Sequence, residues 1–128
     1  MISDSLFTYL MASSGVTALC PASIFPHVMT QDAALPAITY SLDADDRDRL
    51  FDGTAGALKT ALVEINTFDL DHKVAHQLAD AIETALVDYR GAFGSKTAEH
   101  IRLERKFDLF ESDSKLYRVS QQFMIAYY

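Results

Sequence analysis

The sequence predicts an α+β fold, in which an antiparallel sheet of about four strands carries one long and one short helix on one face. The main observation is a change in the spacing of apolar residues, from two to about four, within Ala61–Tyr89. The first part places four alternate residues on one face of a strand: Ala61, Val63, Ile65 and Thr67. The second part repeats apolar residues at helical spacing: Val74, Leu78, Ile82, Leu86 and Tyr89. A strand therefore leads directly into a long helix, expected from about Asp71 to Tyr89.

Length and composition indicate one folded domain over residues 1–128. The chain has 128 residues, of which 49 % are hydrophobic and 23 % charged, which suffices for one core but not for two ordinary domains. Cys20 is the one cysteine, so no disulfide within the chain can form and folding in the cytoplasm is expected. The apolar run near the start has no basic flank and is too short to span a bilayer, so no membrane association is expected.

The acidic balance disfavours nucleic acid as a bound ligand. Eleven Lys and Arg residues against 18 Asp and Glu residues give a formal net charge of −7. Such a surface repels a polyphosphate, although DNA could still pass nearby without specific binding.

The elements that precede Ala61–Tyr89 are predicted from local sequence patterns. Ser3 is expected to cap a short helix that buries Leu6 and Leu10 and stops at Gly15. Residues 16–35 contain two prolines and predict an extended connection held to the core by Ile24, Phe25 and Val28. Residues 36–42 alternate in polarity and predict a strand that Pro36 can begin.

The segment Asp43–Gly56 is predicted to be a long polar hairpin loop, because five aspartates and two arginines precede Gly53. Loops of this length are often functional, although a solvated turn is the simpler interpretation. Leu50 and Phe51 favour a functional role, since a purely solvated loop has no need of an apolar pair.

Two further strands follow the long helix. Residues 91–95 are expected to end it and form a loop. Four alternating apolar residues predict a half-buried strand, with Arg105 as an exception on its apolar face: Ile101, Leu103, Phe107 and Leu109. Residues 116–127 predict a last strand whose far end is apolar on both sides.

The chemistry-bearing patterns do not predict an enzyme. The segment from Gly53 to Thr60 superficially resembles a phosphate-binding loop, but Leu58 occupies the required glycine position and the segment precedes a strand. His72, His76 and Asp80 share a helix face, but the glutamate of a metalloprotease helix is missing. Exposed helical histidines are the simpler interpretation, and no catalytic residue, cofactor or metal is predicted.

The order of segments resembles the tail-completion or tail-terminator proteins of long-tailed phages, prophages and gene transfer agents. The similarity spans most of the chain, and the joint order of the patterns makes it more specific than any one of them. It is carried by Ser23–Pro26, Leu35–Tyr40, Val63–Phe68, Tyr117–Ser120 and Phe123–Ile125.

This resemblance implies a structural protein that forms a ring, expected to be a hexamer, on the head-proximal end of a tail tube. The ring would stop tube growth and join the tail to the head connector, so the implied partners are further copies, the tube protein and a connector or neck protein. Assembly in the host cytoplasm and residence in the particle are implied as well. The alternatives are another neck or head-completion component and, from a different class, a small α+β enzyme or ligand-binding domain.

Two surfaces follow as hypotheses. The expected partner-docking loop comprises Asp45, Asp46, Arg47, Asp48, Arg49, Leu50 and Phe51. The expected ring interface comprises Phe123, Met124, Ile125 and Tyr127, because a terminal strand covered on both faces needs a neighbour to cover one of them.

Overall fold

The computed structural model describes residues 2–49 and 55–128, without the side chains of residues 46–49 and 55–57. The described residues form three helices: α1 (Ile2–Ala12), α2 (Ser14–Thr17) and α3 (His72–Leu86). They form six strands: β1 (Ile24–Pro26), β2 (Ala37–Arg49), β3 (Ala55–Asp69), β4 (Gly91–Phe93), β5 (Lys96–Glu111) and β6 (Leu116–Tyr127). Within this part of the chain, no helix has the length and apolar character needed to cross a membrane.

The strands form one mixed sheet in the order β1-β2-β3-β6-β5-β4. β1 runs parallel to β2, and every other neighbouring pair is antiparallel. The α+β prediction with helices on one face is confirmed. The prediction of about four antiparallel strands is wrong, because the sheet has six strands and β1 is parallel to β2. The two strands missed, β1 and β4, have three residues each and are too short to show an alternating pattern.

Helix α3 packs on the two central strands, as the sequence predicts. The Asp71 carboxylate caps the helix by accepting a hydrogen bond of 2.9 Å from the backbone N–H of Lys73. Leu78, Ile82 and Leu86 are fully buried in the same core as the inward residues of β3 and β6. The helix ends at Leu86, before the expected Tyr89, because Asp88 adopts a positive φ of 63°.

Helix α1 packs on the same side of the sheet and meets the turn between β4 and β5. Its residues Leu6 and Leu10 are fully buried, as predicted. The helix begins at Ile2, so Ser3 lies inside it and the prediction that Ser3 caps it is wrong. Gly94 in that turn has φ 58°, and an added Cβ would lie 2.7 Å from the Cα of Ser5. Glycine is required there by both conformation and space.

The register of β5 against β6 shifts between Leu103 and Arg105, which marks a β-bulge. Before the shift, Ile101 is fully buried beneath the helices. Beyond it, Lys106 faces the helices, since its Nζ lies 3.0 Å from Asp80 Oδ1 on α3. The bulge therefore moves even-numbered residues of β5 to the helix side.

Phe107 and Leu109 consequently lie on the opposite side of the sheet from Ile101, with 47 % and 42 % of their surface exposed. The prediction that they share the buried face of Ile101 is wrong, because one extra residue reverses the two faces of a strand. Arg105, the exception in the apolar pattern, marks where the reversal happens.

The predicted polar loop Asp43–Gly56 is mostly strand. β2 continues to Arg49 and β3 begins at Ala55, and these two residues are paired across the hairpin. The loop prediction is wrong for these residues because backbone pairing with β3 compensates for the low strand propensity of aspartate. Leu50 and Phe51 lie outside the described residues.

The packing of α3 is testable with Ile82→Asp. Ile82 is 0 % exposed, so the variant buries an unpaired carboxylate and should lose most of the roughly 5–15 kcal/mol that stabilises a small domain. Circular dichroism during thermal unfolding measures this loss. Thr84→Asp introduces the same charge on the exposed side of α3 and should unfold close to the wild type. A cooperative transition of Ile82→Asp at the wild-type temperature would contradict the packing.

Candidate assembly surfaces

The sheet has an inner face covered by the helices and an outer face turned away from them. The Thr67 hydroxyl donates to the Ala75 carbonyl (3.1 Å) and the Gln121 amide to the Ala79 carbonyl (3.3 Å), so both side chains point toward α3. Because neighbours in a strand point to opposite faces, residues next to Thr67 and Gln121 belong to the outer face.

Arg118 is the centre of a polar network on the outer face. Its Nε donates to Asn66 Oδ1 (2.9 Å) and its Nη1 to Glu111 Oε1 (3.3 Å), while its Nη2 lies 3.7 Å from Glu64 Oε1. The Ser120 hydroxyl also donates to Glu64 Oε1 (2.8 Å). The side chains of Arg118 and Glu64 are 29 % and 27 % exposed, so this network ties β3, β5 and β6 together at a partly buried site.

The outer face carries a further carboxylate, that of Asp43. Asp43 lies beside the network and accepts a hydrogen bond from the Gln122 amide (3.4 Å). Burial, and then the nearby charge of Glu64, raise the pKa of Asp43, although hydrogen bonds from Gln122 and Ser41 act in the other direction. Asp43 is therefore harder to ionise in the folded chain than in the unfolded chain.

An open cavity of about 420 Å³ lies over the network, between Arg118 and the segment His27–Met29. This is the kind of depression that the ligand-binding alternative requires. Its charged groups, however, are paired with one another: Arg118 with Glu64 and Glu111.

The hairpin of β2 and β3 projects beyond the sheet. The pairing of β3 with β6 ends at Lys59 and Tyr127, but the pairing of β2 with β3 continues to Arg49 and Ala55. At the base of this hairpin arm, the Tyr127 hydroxyl donates to Asp45 Oδ1 (2.8 Å). Beyond the base, the described part of the arm has two strands only, an arrangement that is marginally stable without further contacts.

The predicted docking residues map onto this arm. Asp45 lies at its base, and residues 46–49 continue along β2. Their role in docking stays a prediction.

Most of the predicted ring interface belongs to the core of the chain itself. Phe123, Ile125 and Tyr127 are 0 %, 0 % and 2 % exposed on the inner face. Met124 points to the outer face and is half-buried, so it is the one member of the four with side-chain surface left for a neighbour. A ring contact through this end of β6 stays a prediction.

Sequence reasoning missed the surface along β5. β4 covers β5 only at Lys96–Ala98, and residues 102–111 have no neighbouring strand on that side within the described part of the chain. Phe107, Leu109 and Phe110 are exposed along this edge. We call these three residues the β5 edge patch. The signal that could have found it is Arg105, whose position in the apolar pattern indicates the bulge.

Exposed sheet edges and a projecting arm define an α+β domain suited to assembly with other chains. The chain belongs to the tail completion protein gp17 family, whose sequence profile matches residues 4–128. The resemblance found in the sequence is thereby confirmed, and membership gives the protein a structural role in a phage-type tail. No curated protein sequence matches the chain.

The fold is also similar to that of a chain in a solved structure described as the virion of a native gene transfer agent particle. The two share 18 % sequence identity with a TM-score of 0.67. The match covers 95 % of this chain and 90 % of the other, so the likeness extends over the whole α+β domain.

The electrostatics of the outer face are testable with Asp43→Asn. Because the pKa of Asp43 is raised above 3.8 in the folded protein, folding favours its protonated form. The resulting penalty is absent well below pH 3.8 and develops as the pH rises through the folded-state pKa. The neutral variant should therefore be more stable than the wild type at pH 7 and equal to it in acid, as measured by urea unfolding.

Asp32→Asn is the matched control, because it removes an exposed carboxylate away from the network. This variant should unfold close to the wild type at pH 7. A lower stability of Asp43→Asn at pH 7 would mean that the hydrogen bonds from Gln122 and Ser41 outweigh burial and repulsion.

Proposed function

We propose that this protein forms a hexameric ring on the head-proximal end of a tail tube, where it ends tube growth and joins the tail to the head connector. The observation that carries the proposal is the family match over residues 4–128. The role is structural, without catalysis or a cofactor in ring formation. The ring assembles in the host cytoplasm and remains in the particle between tail and head.

The strand directions support a ring built edge to edge. β2, β3, β6 and β5 are successively antiparallel, so β2 and β5 run in opposite directions at the two sides of the sheet. When a second copy keeps the same orientation, its β2 meets the β5 of the first copy as another antiparallel neighbour. Such head-to-tail contacts use two different surfaces. They close into a ring when the rotations between successive copies add up to a full turn.

An arginine on the edge of β5 can pair with aspartates on the edge of β2. β5 carries Arg105, which forms no ion pair with any described residue, close to Arg102. The edge of β2 beyond its pairing with β1 carries four aspartates: Asp43, Asp45, Asp46 and Asp48. Opposite charges at the two edges favour contact between unlike edges over contact between two copies of the same edge.

The net charge supports passage of DNA without binding. Six copies carry a formal charge of six times −7, or −42. Acidic groups around a central opening repel a polyphosphate instead of holding it.

The edge contact is testable with the double variant Phe107→Glu and Leu109→Glu. Both side chains are exposed in the single chain, so its stability should change by no more than about 0.5 kcal/mol per site. The wild type should give rings by negative-stain microscopy and a hexamer mass by native mass spectrometry, and the variant should remain monomeric.

Met11→Glu is the matched control, because Met11 is 38 % exposed and lies on α1 and not on the sheet. It should assemble like the wild type. Rings of unchanged mass from the double variant would exclude the β5 edge, and a wild type that is monomeric at every concentration would exclude the ring.

The hairpin arm is proposed as the docking element for the head connector. Arg47 and Arg49 would pair with carboxylates on the partner, and the aspartates would repel wrong registers. Leu50 and Phe51 would bury apolar surface in the contact and hold it.

Replacing Leu50 and Phe51 by Ser separates docking from folding. Docking predicts rings of unchanged mass and thermal stability that fail to join tails to heads in an in vitro joining assay. Leu70→Ser, which changes a leucine that is 64 % exposed, is the control and should join normally. A large loss of stability would show that the pair belongs to the core of the domain and would exclude docking through it.

A further inference from the structure

Two histidines of α3 and one aspartate of β5 meet at the end of the sheet near the start of α3. His72 and His76 lie one helical turn apart, with ring centroids 4.4 Å from each other. Asp108 Oδ2 lies 2.9 Å from His72 Nε2 and 3.3 Å from His76 Nε2. The three atoms lie within 4.8 Å of one another, so they converge on a single point.

These distances match those between ligands of one small cation. Zn²⁺ binds imidazole nitrogen and carboxylate oxygen at about 2.0–2.2 Å, so two of its tetrahedral ligands lie about 3.4 Å apart. The measured 2.9 Å and 3.3 Å fall slightly below this value. The side chains that would adjust to a cation are partly exposed, His72 by 51 %, His76 by 31 % and Asp108 by 49 %.

Hydrogen bonds within the chain do not give every atom of this cluster a partner. His76 Nε2 is buried and makes no hydrogen bond, because its contact with Asp108 lacks hydrogen-bond geometry. Both histidines approach the same oxygen of Asp108, but only the contact with His72 has hydrogen-bond geometry. A cation between the three atoms would give His76 Nε2 the partner it lacks.

The surroundings keep the cluster available to a cation. Lys106, two residues before Asp108, pairs with Asp80 instead of Asp108, with its Nζ 3.0 Å from Asp80 Oδ1. The His72 ring packs edge-on against Tyr117 at 5.2 Å, which orients it.

We propose that His72, His76 and Asp108 form a binding site for a divalent d-block cation, with Zn²⁺ as the preferred ion. Two imidazoles and one carboxylate match the ligand preferences of Zn²⁺ and leave one tetrahedral position for water. Asp80, which the sequence places on the same helix face, is not the third ligand, since it pairs with Lys106.

The ion would join the first turn of α3 to β5 beyond the bulge. Asp108 lies between Phe107 and Leu109, which point to the outer face. Holding Asp108 against α3 would therefore fix the strand that presents the β5 edge patch. The cation site itself does not depend on the proposed ring, and its binding can be measured on isolated chains.

The experiment measures binding of Zn²⁺ by isothermal titration and the visible d–d absorption of Co²⁺ bound to the full chain. The wild type should bind one Zn²⁺, show a tetrahedral Co²⁺ spectrum and unfold at a higher temperature with Zn²⁺ than with a chelator. His72→Ala, His76→Ala and Asp108→Asn should each bind at least about tenfold more weakly and lose the temperature shift, since each loses one of three ligands.

His100→Ala is the matched control, because it removes an exposed histidine from the same strand. It should bind as the wild type does. The difference between Zn²⁺ and chelator is compared within each variant, so a variant with lower intrinsic stability still reports on the site. A wild type that responds to Zn²⁺ no more than the His72→Ala and His76→Ala variants would overturn the proposal, and unchanged binding by Asp108→Asn would overturn the role of Asp108.

Discussion

The antiparallel pairing of β3 with β6 under α3 is the constraint on which the rest of the structure depends. Val63, Ile65 and Phe123 are fully buried on the inner face of this pair, against Leu78 and Ile82 of the helix. On the same face the Thr67 hydroxyl and the Gln121 amide nitrogen donate to α3 carbonyls. Because the best-packed strands occupy the centre, the surfaces left for other chains are the edges of the sheet, the outer face and the hairpin arm.

One extra residue in β5 determines which side chains lie on two of these surfaces. Without the bulge at Arg105, Phe107 and Leu109 would point toward the helices and Asp108 away from them. With it, the apolar pair lies on the outer face, and Asp108 reaches His72 and His76. The proposed assembly edge and the proposed cation site are thus two consequences of one local change in register. This dependence agrees with the tendency of bulges to lie at sheet edges and next to functional sites.

The outer face and the hairpin arm both retain groups that do not serve the stability of the single chain. Asp43 remains near Glu64 although burial and repulsion oppose its charge. The pairing of β2 with β3 continues past the last residue of β3 that pairs with β6. Natural proteins keep such unfavourable features where function requires them. In an assembly protein the compensation comes from a neighbouring chain, which can supply a countercharge or a third strand. The acidic arm fits this account.

The sequence by itself determined the central strand, the long helix, the last strand and the family, because each rests on a local pattern several residues long. It did not determine the edge strands, whose three residues show no period, or the reversal of faces in β5. The contacts of Arg118 with Asn66 and of His72 with Asp108 join residues 52 and 36 positions apart. Only the tertiary structure decided these contacts, because strand order and register bring such residues together and no local spacing encodes either one.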